Sequence, residues 1–133
     1  MAKRAINPAG LPTPVGPYSN VVSADAGRVV FCAGQVALDA GGSIVGEGDI
    51  VAQTRQVMEN LKLALEAAGA SFADVVKVTN YITDVAQFSK MAAVRQEYLR
   101  EPYPASTLIE VQALMFPELL IEIEAVAVVT AGR

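Results

Sequence analysis

Two periods of apolar residues alternate along this chain, and each change of period marks an element. After Asp49, Val57, Met58, Leu61, Ala64, Leu65 and Ala68 recur at spacings of three and four. That is one apolar stripe on a helix. Asp49 is placed to cap its start, and Gly69 suits the position just past its end. Ser71 and Asp74 carry capping-box spacing over a short turn. A second helix is expected to start at Asp84 with Gln87. Val85, Phe88, Met91, Val94 and Tyr98 or Leu99 face inward along it, and Pro102 and Pro104 end it. Strands are expected at Val21 to Ala24, Arg28 to Ala33, Val75 to Thr83, Ser106 to Ala113 and Leu119 to Val129. Asp25-Ala26-Gly27 predicts a hairpin between the first two, and the connection around Met115-Phe116-Pro117 an antiparallel hairpin between the last two. The stretch Asn7 to Ser19, dense in Pro and Gly, and the glycine-rich Asp39 to Gly48 read as loops.

The order is strands, helix, strand, helix, strands, with no repeat and no linker, so residues 1–133 read as one domain. Two helices are too few to cover both faces of a doubly wound sheet. The pattern predicts an α+β fold, a single mixed sheet packed against two helices. The other face is expected to be buried by another subunit.

Composition narrows the function. The chain is 53% hydrophobic and 18% charged, enough apolar material for a real core and too much for disorder. No apolar run reaches the roughly 18 residues that span a bilayer, and no membrane partner is expected. The N-terminus lacks a secretory apolar region, and Cys32 is the single cysteine, so a cytoplasmic location is expected. The net charge of −4 without a basic tract argues against nucleic acid. There is no histidine. That removes serine–histidine and cysteine–histidine catalysis and leaves a zinc site mostly carboxylates, which is unusual, so no metal is expected. Proton transfer falls to Asp, Glu, Lys, Tyr, Cys or water.

Within the most apolar strand, Glu122 and Glu124 share one face, because side chains alternate along a strand. An acid on an apolar strand needs a partner or a function. Glu122 is the candidate for chemistry; Glu124 reads as a structural or interface acid. Ser106, Leu108 and Glu110 share a face of their own strand. Tyr18 either orients a ligand or is a loop tyrosine packing on the hairpin. Cys32 reads as a small buried hydrophobe, with only Arg28 nearby in sequence to activate it. Thr79 and Asn80 read as ordinary strand residues, and Arg55 and Lys62 as a solvated helix face.

Five stretches, VGPYS, AGQ (Ala33-Gly34-Gln35), QTRQVMENLKLALEAAGAS, VVKVTNYITD and IEIEAVAV, together resemble the RidA family, also called YjgF or L-PSP, over nearly the whole chain. The resemblance implies a chorismate-mutase-like fold. It also implies a homotrimer whose three sheets form a central barrel with the helices outside. Small-molecule sites lie in clefts between subunits. Typical members hydrolyse reactive enamines and imines released by pyridoxal-phosphate enzymes, with neither metal nor cofactor. Carried over by position, the family's tyrosine after Gly-Pro is Tyr18, its cleft glycine is Gly34, and its water-activating glutamate is Glu122. Other positions depart. The serine before the glycine is Ala33, and a cysteine of the penultimate strand is Leu108. A helical asparagine that reaches in from another subunit matches Ala92. The arginine that grips the substrate carboxylate is Ser106. That exchange removes a five-donor planar fork and predicts weak binding of small carboxylates. Two functions follow: a cofactor-free enamine or imine hydrolase with altered specificity, or a non-catalytic trimer that binds a metabolite or partner in the same clefts.

Overall fold

The computed structural model describes residues 3–130. Ten elements follow one another: strands β1 (Lys3–Ile6), β2 (Val21–Ala24) and β3 (Gly27–Gln35), helix α1 (Ile50–Ala67), a 3-10 turn (Phe72–Asp74), β4 (Val75–Ile82), a second 3-10 turn (Val85–Gln87), α2 (Phe88–Gln96), β5 (Ala105–Glu110) and β6 (Ile121–Thr130). Four strands form a mixed sheet in the order β3-β6-β4-β5, and β1 and β2 pair as a separate antiparallel ribbon.

Strand β6 holds the centre. It pairs antiparallel with β3 on one side and β4 on the other. Its burial alternates residue by residue. Ile121, Ile123, Ala125, Ala127 and Val129 are buried against the helices; Glu122, Glu124, Val126, Val128 and Thr130 are half-buried on the opposite face. A strand with neighbours on both edges and apolar residues on both faces is the natural centre of a sheet. Helix α1 closes the inner face through Val57, Met58, Leu61 and Leu65. Asp49 caps it, accepting hydrogen bonds from the Val51 and Ala52 amides at 3.1 Å, an arrangement typically worth about 1 kcal/mol. At the far end Arg28 donates to the Ala68 carbonyl at 2.6 Å, a cation at the helix's negative end.

Two hairpins expected from sequence do not form. Strand β5 runs parallel to β4, with Ser106 beside Val78, and does not pair with β6. A parallel pair needs a crossover, and α2 supplies it between β4 and β5. Strand β2 likewise pairs with β1, through Ala5 beside Val22, rather than with β3. Only Asp25 and Ala26 separate β2 from β3, and the chain passes between sheets there instead of turning back. Strand β5 also ends at Glu110, short of the expected Ala113, and Val85 lies exposed in the 3-10 turn that precedes α2.

Among the described residues, the outer face of the four-stranded sheet carries exposed apolar side chains. Phe31 is 78% exposed and Val29 50% exposed on it, beside the half-buried Val126 and Val128.

Candidate functional site

Glu122 lies on that outer face, directly opposite Tyr81 of β4. On its other side, β3 carries a bulge: Cys32 pairs with Ala125 and Gln35 with Ile123, so Ala33 and Gly34 together oppose one residue of β6. Bulges re-aim neighbouring side chains, and this one makes room for a carboxyl group. Gly34 has an ordinary backbone conformation. Its lack of a side chain matters for space, since a Cβ there would stand 2.8 Å from Glu122 Cδ and collide with Oε2. The Glu122 side chain is thus laid across Gly34.

The electrostatics of this spot shift the titration of the Glu122 carboxyl upward. Partial burial raises the Glu122 pKa above its ordinary value, and the charge of Glu124 raises it further. Glu124 is held by Tyr81, whose hydroxyl donates to its Oε1 at 2.5 Å. That bond, with some burial and the negative charges nearby, pushes the Tyr81 phenol up as well. The pair Tyr81–Glu124 thus fixes a negative charge beside Glu122.

The remaining sequence candidates gather elsewhere. The loop carrying Tyr18 is tied to the start of β5: the Ser19 amide donates to the Pro104 carbonyl at 3.0 Å, and its hydroxyl to the Tyr103 carbonyl at 2.6 Å. Tyr18, Ser19, Lys3, Arg4, Glu101 and Tyr103 line a cavity of about 650 Å³. Ser106 and Leu108 face α2 and the core, on the side of the sheet opposite Glu122. Through the register, Ser106 lies beside Val78, three residues along β4 from Tyr81 and two strands across from Glu122. That is a separation of roughly 14 Å in the plane of the sheet. Strands β3 and β5 are opposite edges. The single chain therefore keeps Ala33, Gly34 and Glu122 apart from Tyr18, Ser106 and Leu108. A smaller cavity of about 370 Å³ adjoins Gly34, with Gln35, Gln56 and Asn60 in its wall. Asn60 donates to the Val36 and Leu38 carbonyls and so fixes the chain that leaves β3.

Sequence reasoning missed Arg95. It is only 2% exposed, yet no carboxylate among the described residues pairs with it. Nη1 donates to Asn80 Oδ1 at 3.0 Å and to Ser106 Oγ at 3.2 Å. Nε has no partner among the described residues. Asn80 completes the network by donating to Ser106 Oγ at 3.0 Å and to the Thr107 carbonyl at 2.9 Å. Burial alone lowers the Arg95 pKa to about 10, so it remains a cation at neutral pH. The signal was present in sequence: Arg95 follows Val94 and lies four residues after Met91, on the apolar stripe rather than the solvated face. Asn80, read as an ordinary strand residue, is its buried partner. Gln53 was also missed. It is fully buried in α1, donates to the Gly46 and Glu118 carbonyls, and accepts from the Leu120 amide, which sets the entry into β6 two residues before Glu122.

Cys32 is buried, and burial pushes its thiol pKa up, away from reactivity. Among the described residues no three acidic, cysteine or histidine side chains cluster as metal ligands, and no helix is long and apolar enough to cross a membrane.

The family model described as Endoribonuclease L-PSP matches residues 9–129. The chain belongs to the RidA/YjgF/L-PSP family. It is 46% identical to a RutC family protein of Pyrococcus horikoshii over 94% of this chain and 97% of the relative. It is 34% identical to the 2-iminobutanoate/2-iminopropanoate deaminase of Capra hircus, over 96% of this chain and 91% of that one. The crystal structure of a Rid family protein of unknown function from Yersinia pestis superposes with a TM-score of 0.86 at 41% identity, covering 97% of this chain and all of the other. The single-chain α+β fold, a mixed sheet packed against helices, is thus a RidA-family fold.

Proposed function

We propose that this protein is a cofactor-free hydrolase of reactive enamine or imine metabolites, acting in the cytoplasm as a homotrimer with its sites in clefts between subunits. The observation that carries the reading is the Glu122 carboxyl. It is half-buried, laid over a side-chain-free position, and its pKa is raised by burial and by Glu124. A carboxylate with a raised pKa suits proton transfer near neutral pH better than an ordinary surface acid does. The deaminase similarity supports the same chemistry.

The step balances simply. Glu122 takes a proton from water as the oxygen forms a bond to the imine carbon. The C=N π electrons move to nitrogen, which takes up a proton from solvent. The resulting carbinolamine expels ammonia as its hydroxyl releases its proton to solvent and becomes a carbonyl, and Glu122 returns its proton to the leaving nitrogen. Water is the second substrate, and no oxidant or reductant is needed.

The sheet geometry supports a shared site. Glu122 and Gly34 sit at the β3 side of the sheet and Ser106 at the β5 edge, on the opposite face. A cleft in which one copy's β3 side meets the next copy's β5 edge would unite them, and the exposed Phe31 and Val29 supply an apolar face for that assembly. The test is turnover of 2-iminobutanoate, generated in place by an amino-acid-oxidising or dehydrating enzyme, by the parent and by Glu122→Gln. Accelerated hydrolysis by the parent and its loss in the variant is the expected result. No acceleration by the parent, combined with ligand affinity that drops on the same substitution, would favour the binding-protein alternative.

A further inference from the structure

We propose that Arg95 supplies the cation that holds a substrate's carboxylate group, at the place on β5 where Ser106 itself is uncharged. The inference deepens the hydrolase reading and rests on it, because it assigns the side chain that would make the same cleft prefer a charged ligand over a neutral one.

The argument starts from burial. An ion removed from water without a counter-ion carries a penalty, and natural chains keep such groups paired. Arg95 is an exception, with 2% exposure and no carboxylate partner among the described residues. Among the described residues its hydrogen bonds go to Asn80 and Ser106, and both fall on one nitrogen, Nη1. Nε is buried and without a partner among the described residues. A guanidinium presents its donors as a rigid fork that matches a carboxylate, and here part of the fork is unused.

Position gives the second strand of the argument. The guanidinium enters from α2 and ends 3.2 Å from Ser106 Oγ. Ser106 is half-exposed on an edge strand, so the charge lies one side chain beneath the surface. Asn80 holds the arrangement from below: it accepts from Arg95 and donates to Ser106, which aligns the two. Ala92 lies one helical turn before Arg95 on the same side of α2 and is half-buried, a small residue that leaves room beside the guanidinium. Strand β5 would therefore present a positive charge to a cleft even though its own residue at this point is a serine.

The test is a binding titration on the intact oligomer with two probes, 2-oxobutanoate and the uncharged 2-butanone. The parent is expected to bind 2-oxobutanoate at least roughly tenfold more tightly than 2-butanone, the consequence of one charge-assisted hydrogen bond or more. Arg95→Met is expected to lose that preference. Combining it with Ser106→Arg returns a guanidinium to the strand and is expected to restore the preference. If Arg95→Met does not fold, Arg95→Lys is the substitute: it keeps the charge, loses the fork, and weakens 2-oxobutanoate alone. A parent without preference, or a folded Arg95→Met that keeps 2-oxobutanoate affinity within twofold, overturns the proposal. A folded double variant that fails to recover overturns the placement of the carboxylate at Ser106. Neither probe is turned over. A failure of hydrolysis with carboxylate preference intact therefore counts against the catalytic role of Glu122 and not against Arg95.

Discussion

Gly34 lies beneath the carboxyl group of Glu122, close enough that a single added methyl would collide with it. The obstacle is the mobile end of a side chain, and the backbone at Gly34 needs no special conformation. Gly34→Ala is therefore expected to fold with a melting temperature close to the parent's while displacing the carboxyl. A small misplacement of a catalytic group can cost on the order of a hundredfold in rate. Turnover per site, measured beside thermal melting, separates the two effects; parental turnover in Gly34→Ala would show that the position of Glu122 is immaterial.

Glu122→Gln tests both charge and chemistry. The folded pKa of Glu122 is raised above 4.5, the value expected when unfolded, by burial first and by Glu124 second. At pH below that unfolded value both states hold the proton and the group is neutral in the fold. As pH rises from there through the folded pKa, the folded state must ionise against burial and repulsion, and stability falls. Glutamine never ionises. Urea melts should show the variant gaining stability relative to the parent as pH rises from 4 to 7, with a hydrolase rate lower by roughly two orders of magnitude or more. A stability difference that is flat over this range would mean that Glu122 is not strained by ionisation.

Glu124→Gln should act on the neighbour rather than on the reaction. Removing its charge takes away the second cause that raises the Glu122 pKa. The acidic limb of the pH–rate profile is expected to move to lower pH, with a maximum rate within about fivefold of the parent's. An unmoved limb combined with a large loss of rate would instead make Glu124 the proton-transferring acid.

Phe31 presents 78% of its surface to solvent in the protomer, in register with Val126. In the proposed homotrimer such a ring is buried by another copy. Light scattering should find the parent as a trimer at micromolar concentration and Phe31→Asp shifted toward monomer, because an aspartate there would have to enter an apolar contact unpaired. A parent that stays monomeric at that concentration contradicts the assembly.

Local features of the fold were legible in the residues, and pairings were not. The Asp49 cap, the α1 stripe, the turn at Ser71 to Asp74 and the shared face of Glu122 and Glu124 all follow from spacing within a few residues, and all are present. The partners of β5 and β2 depend on which strand takes the centre of the sheet, a long-range competition that β6 wins through apolar residues on both faces. Of the candidate site, Glu122 stood out because an acid is conspicuous in an apolar strand, whereas Gly34 followed only from the family resemblance. Arg95 did not stand out, because charge on a helix is ordinarily a sign of solvent. Only its place on the apolar stripe and the buried amide of Asn80 across from it reveal the cation inside.

In the proposed trimer, the strand order would also let defects in different subunits cancel. Since β3 and β5 are opposite edges of one sheet, each cleft of the proposed trimer would take its carboxyl from one copy and its guanidinium from the next. At substrate well below saturation, subunits bearing Glu122→Gln and subunits bearing Arg95→Met would each keep only about a tenth of the parent's activity or less. Unfolded together, mixed in equal amounts and refolded, they would build hybrid rings in which some clefts draw an intact half from each kind. Chance pairing makes that about one cleft in four, so activity should return to roughly a quarter of the parent's. A pair of lesions lying in the same half of the site, such as Glu122→Gln with Gly34→Ala, has no such recovery open to it.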